Sequence, residues 1–268
     1  MRGGAAAFFL LIGIIAMSAP SRADTIQLYA AGSLRAALTE VAKWFEAETG
    51  NSVQNKYGPS GLLKDEIAGG ARADVFASAN MEHPQALSAA KKSGSVQLFA
   101  RNRLCALVKP GLNVDSANLL ERMLDPAIKL ATSTPKADPT GDYALEVFAK
   151  AESIRSGARA ALEKKAAQLT GRADSLQPPA GRNVYGWHVG EGRADIFLAY
   201  CTAAREAQKQ NPEQQIVQLP ESIAVGADYG LTVIAGAPAA ADRFAQFILS
   251  PAGQKILTGY GFVPANNR

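Results

Sequence analysis

The sequence predicts an α/β protein of two lobes, in which each lobe is a mostly parallel sheet flanked by helices and a ligand cleft lies between the lobes. Strand-like apolar runs alternate with amphipathic helical runs, which is typical of parallel sheets. The chain has 268 residues, enough for two such units. Two apolar strands, at residues 104–108 and 229–233, lie where the chain would cross between the lobes.

The first run of elements repeats one construction, a strand followed by a glycine–serine turn and a helix. The opening strand turns at Gly32 into a helix, and Ser33 lies where an N-cap residue is expected. Ser60 starts the next helix in the same way, after a Gly-Pro-Ser-Gly turn. The predicted strands of this run are at 28–31, 53–57 and 73–78, and its helices end at Gly50, Gly69 and Gly94.

The second run continues the pattern with a polar, proline-bearing loop at 133–142 in its middle. Its predicted strands are at 96–100, 104–108, 128–132, 194–200, 216–219 and 229–235. Its predicted helices are at 116–124, 143–152, 158–169, 239–249 and 252–257. We therefore expect residues 24–104 and 231–268 to form the first lobe, with residues 105–230 inserted as the second.

Residues 1–23 have the features of a cleaved secretory signal peptide. A basic residue, Arg2, precedes a short apolar run, and small residues follow at the cleavage position. We therefore expect a periplasmic protein. Loss of Arg2 and Arg22 lowers the formal charge from +4 to +2, and the remaining basic residues are scattered. The sequence thus predicts neither a nucleic-acid partner nor a membrane-spanning segment.

Two cysteines, Cys105 and Cys201, lie in or just after apolar strand-like runs. In an exported chain a disulfide between them is plausible, and two buried free thiols are the alternative. Neither cysteine has the spacing of a metal site or of a catalytic thiol.

The sequence lacks the patterns of the common enzyme sites. The nucleophile-elbow, phosphate-loop and dinucleotide-binding motifs are absent from it. Its two histidines, His83 and His188, are far apart, and the one imaginable catalytic pair is His188 with Asp142. We therefore expect a binding protein without a resident cofactor, and an exported enzyme is the weaker alternative.

Neutral donors at helix starts indicate an anion site. Ser33 and Ser60 each follow a strand and begin a helix, and neither turn contains an acidic residue. Backbone N–H groups, hydroxyls and helix dipoles can hold a desolvated anion without a counter-charge. Ligands in open α/β sheets bind beyond the carboxyl ends of the strands, where these turns lie.

The chain resembles the periplasmic molybdate-binding proteins of ABC importers, within the class of two-lobed periplasmic binding proteins. The resemblance covers essentially the whole mature chain. It is carried by the order and spacing of these motifs: Ala30-Ala31-Gly32-Ser33-Leu34, Gly58-Pro59-Ser60-Gly61, Ala73-Asp74-Val75-Phe76-Ala77-Ser78-Ala79, Asp138-Pro139-Thr140-Gly141-Asp142-Tyr143-Ala144, Asn183-Val184 and the strand ending in Tyr200.

This resemblance implies a ligand site made of hydroxyls and backbone amides. The hydroxyls of Ser33, Ser60 and Tyr200 and the amides of Thr140 and Val184 would hold a tetrahedral oxyanion, with no metal cation bound directly. It also implies a monomer that captures molybdate, and also tungstate, by closing its lobes, and that delivers the anion to a membrane permease.

Two departures from the family pattern bear on the identity of the anion. The segment Tyr185 to Gly192 is unlike other members, and Thr140 replaces a common alanine and adds a hydroxyl. A protein for another anion such as sulfate, a ferric-ion-binding protein, or a ligand sensor that docks on a receptor therefore remain alternatives.

Overall fold

The computed structural model describes residues 23–265. All but the last residue of the predicted signal peptide therefore lies outside the described residues. Within them, strands and helices alternate along most of the chain, as the apolar periodicity predicts.

The strands are β1 (Thr25–Ala31), β2 (Ser52–Gly58), β3 (Val75–Ser78), β4 (Gln97–Val108), β5 (Leu130–Ser133), β6 (Ala167–Thr170), β7 (Ile196–Tyr200), β8 (Gln215–Gln218), β9 (Gly226–Val233) and β10 (Val263–Pro264). The α-helices are α1 (Arg35–Thr49), α2 (Ser60–Ala68), α3 (Glu82–Ala89), α4 (Leu119–Leu124), α5 (Pro139–Ile154), α6 (Ala158–Lys165), α7 (Val184–Gly190), α8 (Cys201–Gln210), α9 (Ala239–Leu249) and α10 (Pro251–Gly259).

The strands follow the order β2-β1-β3-β9-β4-β7-β5-β6, with β8 and β10 also paired to β4. The outer pairs on both sides are parallel: β1 with β2 and β3, and β5 with β6 and β7. The central pairs that β9 and β4 make are antiparallel. Each parallel part has a helix between consecutive strands, so the carboxyl ends of its strands point to one edge.

Strand β4 is continuous through both halves of the molecule, whereas the sequence suggests two separate strands. Its first part, from Gln97 to Arg103, pairs with β9, and its second part, from Leu104, pairs with β7 and β8. The sequence predicts a gap between the two strands because polar residues interrupt the apolar pattern there. One of these polar residues, Asn102, is buried within the continuous strand. The change of partner falls at the predicted first crossing. Strand β9 pairs beside β4 from Gly226 onward. The lobe boundaries themselves stay a prediction.

Three element assignments from the sequence are wrong. The helix predicted for 158–169 ends at Lys165, because residues from Ala167 pair with β5 as a parallel strand. Helix α8 was not predicted, since its buried face consists of small residues with a weak apolar signal. Helix α5 begins at Pro139, inside the predicted polar loop, because Pro is well suited to a first helical turn.

The C-terminal helices return to the first half of the chain, as expected. The ring of Phe45 on α1 packs against Phe244 and Phe247 on α9, with centroids 5.0 and 5.7 Å apart. Phe45 and Phe244 are fully buried, so burial of apolar surface holds α9 against α1. Among residues 23–265, no helix is long and apolar enough to cross a membrane.

Candidate functional site

A cleft of about 1060 Å³ brings together all five residues that the sequence singles out. Ser33, Ser60, Thr140, Val184 and Tyr200 line it. The first two come from the turns after β1 and β2, and the others from α5, α7 and the end of β7. They meet because each follows or ends a strand at the same edge of the sheets.

Ser33 does not cap a helix, contrary to the sequence-based expectation. It lies in a 3₁₀ turn, Gly32–Leu34, without a side-chain capping bond. Its hydroxyl shares a hydrogen bond of 3.0 Å with the hydroxyl of Tyr229 on β9. The side-chain amide of Asn102 donates to the same Tyr229 oxygen, at 3.2 Å. Tyr229 on β9 therefore holds the Ser33 hydroxyl in place.

Ser60 is the first residue of α2, and Pro59 occupies the cap position. Ser60 is buried, and its hydroxyl oxygen accepts a hydrogen bond of 3.1 Å from the amide of Ala79. The carbonyl of Ala79 in turn accepts a hydrogen bond of 3.2 Å from the hydroxyl of Tyr200. The backbone of Ala79 thus links the hydroxyls of Ser60 and Tyr200, so the position of each hydroxyl depends on the other.

Thr140 lies in the first turn of α5, with its side chain buried. Its amide donates to the carboxylate of Asp138, the N-cap residue, at 3.0 Å. Its hydroxyl is buried and has no hydrogen-bond partner in the described structure. The polar group of Thr140 that is left for a ligand is therefore the hydroxyl, whereas the family resemblance implies the amide.

Val184 is the first residue of α7, and Asn183 caps the helix. The Asn183 side chain accepts from the amides of Tyr185 and Gly186, at 3.0 and 3.1 Å. The capping residue thus fixes the start of α7 at the cleft. Together with α2 and α5, this helix start brings the positive end of a helix dipole to the same cavity.

Burial controls the protonation of the tyrosines in the site. It raises the pKa of Tyr200 well above its usual value, and the neighbouring Tyr229 adds to the effect. It also raises the pKa of Tyr229, although the bonds from Ser33 and Asn102 oppose the shift. Both tyrosines therefore keep their protons at neutral pH, and the Tyr200 hydroxyl donates its proton to the carbonyl of Ala79.

Four residues of the site carry no obvious signal in the sequence. Tyr229 begins a strand that the sequence predicts only as a crossing, Asn102 lies between two predicted strands, and Ala79 contributes through its backbone. Asp138 belongs to the quoted Asp-Pro-Thr-Gly motif, but the sequence predicts no role for it. A search for polar side chains in the crossing strands could have found Tyr229.

His188 and Asp142, the pair that the enzyme alternative would need, do not form a site. His188 is buried on α7 between the rings of Trp187 and Phe197, with centroid distances of 4.8 and 6.2 Å. The Asp142 carboxylate accepts from the amide of Lys136. Neither His188 nor Asp142 lines the cleft. Within residues 23–265, no group of three His, Cys, Asp or Glu side chains is placed to hold a metal ion.

The two cysteines form a disulfide bond beside the site, between Cys105 on β4 and Cys201 at the start of α8. Their Cα atoms are 4.9 Å apart and they are separated by 96 residues in sequence. Because Cys201 directly follows Tyr200, the cross-link anchors the end of β7 to the central strand.

A family model described as bacterial extracellular solute-binding protein matches residues 26–263. The chain belongs to this family. This solute-binding protein is 35% identical over 244 residues to the uncharacterized protein PM1146 of Pasteurella multocida, which covers 90% of the chain and 100% of the relative. It is 26% identical over 269 residues to the molybdate-binding protein ModA of Rhodobacter capsulatus, covering 98% and 96%.

Solved structures show the same fold. The periplasmic molybdate-binding protein of Azotobacter vinelandii aligns with a TM-score of 0.70 at 19% identity, over 89% of this chain and 98% of its own. The sulfate-binding protein SubI of Mycobacterium tuberculosis aligns with a TM-score of 0.75 at 20% identity, over 91% and 88%. The predicted two-lobed fold and the resemblance to molybdate-binding proteins are confirmed. The solute-binding protein family also agrees with the prediction of a binding protein that acts outside the cytoplasm.

Proposed function

We propose that this solute-binding protein captures a tetrahedral oxyanion, with molybdate and tungstate as the first candidates, and delivers it to the membrane permease of an ABC importer. The observation that carries the proposal is the convergence of Ser33, Ser60, Thr140 and Tyr200 hydroxyls on one cleft. Such neutral donors suit an anion that sheds its water, because they bring no competing counter-ion.

Capture occurs by closure of the cleft around the ligand. The amide of Gly61 at the start of α2 donates to the carbonyl of Ala137 before α5, at 2.9 Å. This bond joins the two walls of the cleft directly. Ligand contacts from both walls then favour the closed arrangement over an open one, and the binding energy shifts that equilibrium.

The donor set also bears on the alternatives. A ferric ion prefers several hard anionic ligands. Three carboxylates line the cleft, those of Glu40, Asp138 and Glu206, but among residues 23–265 no three acidic, His or Cys side chains are grouped to hold a metal ion. Sulfate has the charge and shape of molybdate, so the size of the closed cavity separates them. SubI shares the fold, and sulfate is therefore the second anion to test.

Calorimetric titration of the anion-stripped protein tests the proposal. We expect one-to-one binding of molybdate and tungstate, with weaker or no binding of sulfate and phosphate. Ser33→Ala removes a cleft hydroxyl and should weaken binding by about tenfold, equivalent to one hydrogen bond to a charged group. Ser88→Ala on α3 lies outside the cleft and is the matched control. Absence of heat with every oxyanion would refute the proposal.

On this proposal the mature chain acts as a monomer in the periplasm, after removal of residues 1–23. Mass measurement of the protein recovered from a periplasmic fraction tests the cleavage site. Co-purification with a permease complex in the ligand-bound state tests delivery, and binding to a receptor domain instead would indicate a sensor.

A further inference from the structure

The cleft that we propose as an anion site is lined by a carboxylate, Asp138, and an ionised carboxylate repels a bound dianion. Asp138 lines the cleft, next to Ala137, whose carbonyl accepts the amide of Gly61. Asp138 follows the residue that bonds to the start of α2, and it lines the same cleft as Ser60. Burial raises the pKa values of Tyr185 and Tyr200, and the charge of Asp138 adds to both shifts.

The local chemistry of Asp138 differs from that of a simple helix cap. One oxygen accepts the Thr140 amide, as a capping carboxylate does. The Thr140 hydroxyl is buried and has no hydrogen-bond partner among the described residues. A buried, unpartnered hydroxyl in a cleft indicates that a ligand oxygen completes its hydrogen bonding.

Four basic side chains line the cleft with Asp138, namely Arg35, Lys43, Arg172 and Arg182, and none of the ion pairs among the described residues joins one of them to Asp138. Burial raises the pKa of Asp138, and the hydrogen bond from the Thr140 amide opposes the shift. Gly171, in the loop after β6, approaches Asp138 closely, since a Cβ added to it would lie 2.8 Å from the Asp138 Cβ. The following Arg172 pairs with Asp174. The acidic side chains of Glu40 and Glu206 also line the cleft. Asp142 on α5, Tyr185 on α7 and Tyr200 on β7 are further titratable groups on the elements around this carboxylate.

We propose that Asp138 and the bound oxyanion share one proton, so that the site takes either a hydrogen oxyanion or a fully deprotonated oxyanion together with one proton. The inference rests on the proposed function and specifies the chemical form of its ligand. A hydrogen oxyanion brings the proton and donates it to the carboxylate oxygen. A dianion such as molybdate leaves Asp138 to take a proton from solvent, which returns to solvent on release.

This arrangement makes Asp138 a determinant of specificity. A protonated Asp138 donates to the anion, and an ionised one accepts from it, so the pair holds one proton in either case. Binding of a dianion is then linked to pH, because the bound state holds one proton more than the free protein does. Its Kd should rise by up to about tenfold per pH unit over the range where the free carboxyl is ionised.

The test counts protons directly. Calorimetric titrations with molybdate are run in buffers of different ionisation enthalpy, from about pH 6 to about pH 9. For the wild-type protein we expect the uptake of close to one proton per molybdate bound, in the part of this pH range where the free Asp138 carboxyl is ionised. Asp138→Asn should bind with no proton uptake and with a Kd that does not change with pH. Asparagine keeps an oxygen for the Thr140 amide, so the cap of α5 is preserved.

Asp142→Asn is the matched control. Asp142 lies on the same helix and carries a carboxylate whose pKa burial raises, but it does not line the cleft. We expect this variant to take up a proton on binding as the wild type does. If Asp138→Asn and the wild type show the same proton uptake, or if Asp142→Asn alone abolishes it, the inference is wrong.

The two proposals fail in different ways. If molybdate, tungstate, sulfate and phosphate all fail to bind the wild-type protein, the proposed oxyanion function fails. If molybdate binds tightly with no proton uptake at any pH in the range, the function stands and the shared proton is refuted. Phosphate, when it binds as hydrogen phosphate, should take up no proton, and full proton uptake with this ligand would also refute the inference.

Discussion

Gly61 offers the sharpest test of cleft closure, because adding a single methyl group there should weaken ligand binding without lowering the stability of the fold. A Cβ added at Gly61 would clash with the carbonyl oxygen of Lys136 and lie 2.7 Å from that of Ala137. Both are backbone atoms, which cannot swing aside as the end of a flexible side chain can. Gly61→Ala is therefore expected to hold the two walls of the cleft apart.

The magnitude follows from two opposing effects. The clash costs about 1–3 kcal/mol, as overpacking does, and lengthens a hydrogen bond worth about 1 kcal/mol. Gly61 lies in α2 with ordinary helical backbone, so alanine there stabilises the helix itself by up to about 1 kcal/mol. The substitution should thus raise the free energy of the closed arrangement by about 1–3 kcal/mol relative to the open one. It should not destabilise the folded state relative to the unfolded state.

The assay compares ligand affinity with unfolding. A penalty of about 1–3 kcal/mol corresponds to a Kd for molybdate that is about 5–150-fold higher. The midpoint of thermal unfolding without ligand should be unchanged or higher. Gly259→Ala, at the end of α10 where a Cβ meets open space, should leave both quantities near wild type. Unchanged affinity in Gly61→Ala would refute the closure argument, and a large loss of stability would show that this contact holds the fold.

Three other predictions follow from the described contacts. Ser60→Ala removes the acceptor of the Ala79 amide and should lower the free energy of unfolding by about 1–3 kcal/mol while weakening oxyanion binding, as urea unfolding and calorimetry would measure. Serine at both Cys105 and Cys201 should cost about 2–5 kcal/mol, and equal unfolding midpoints with and without a reductant would contradict this. Burial and the charge of Arg193 lower the pKa of His188, so the unfolded state binds the proton more tightly and stability falls as pH drops through about 6.5. His188→Phe should reduce that loss between pH 7 and pH 5, and an undiminished loss would show that other groups cause it.

The fold could be predicted where its signals are local. The repeated strand, glycine–serine turn and helix fixed the order of β1 to α3, because each turn residue acts on its own neighbours. The strand β6 was missed since Ala167–Thr170 become a strand only by pairing with β5. Helix α8 was missed because alanine and threonine on its buried face give a weak apolar pattern.

The residues that line the cleft were easier to predict from the sequence than the hydrogen bonds that they make. Residues that follow strands in an α/β sheet share one edge, which brought Ser33 and Ser60 to the same cavity. Their partners could not be predicted, because the partner of Ser33 is 196 residues away and that of Ser60 is a backbone amide. Helix capping, the alternative role for both serines, is not seen, since neither side chain bonds to its own helix.

The disulfide has a consequence for the order in which the protein matures. Leu104, the residue before Cys105, is the strand partner of Tyr200, the residue before Cys201. The cross-link therefore clamps the tyrosine to the central strand from one residue away. A chain that is still reduced holds this tyrosine through strand pairing and through its hydrogen bond to the carbonyl of Ala79. Oxidation of the two thiols adds a covalent link at the same point, and such a link forms in an oxidising compartment.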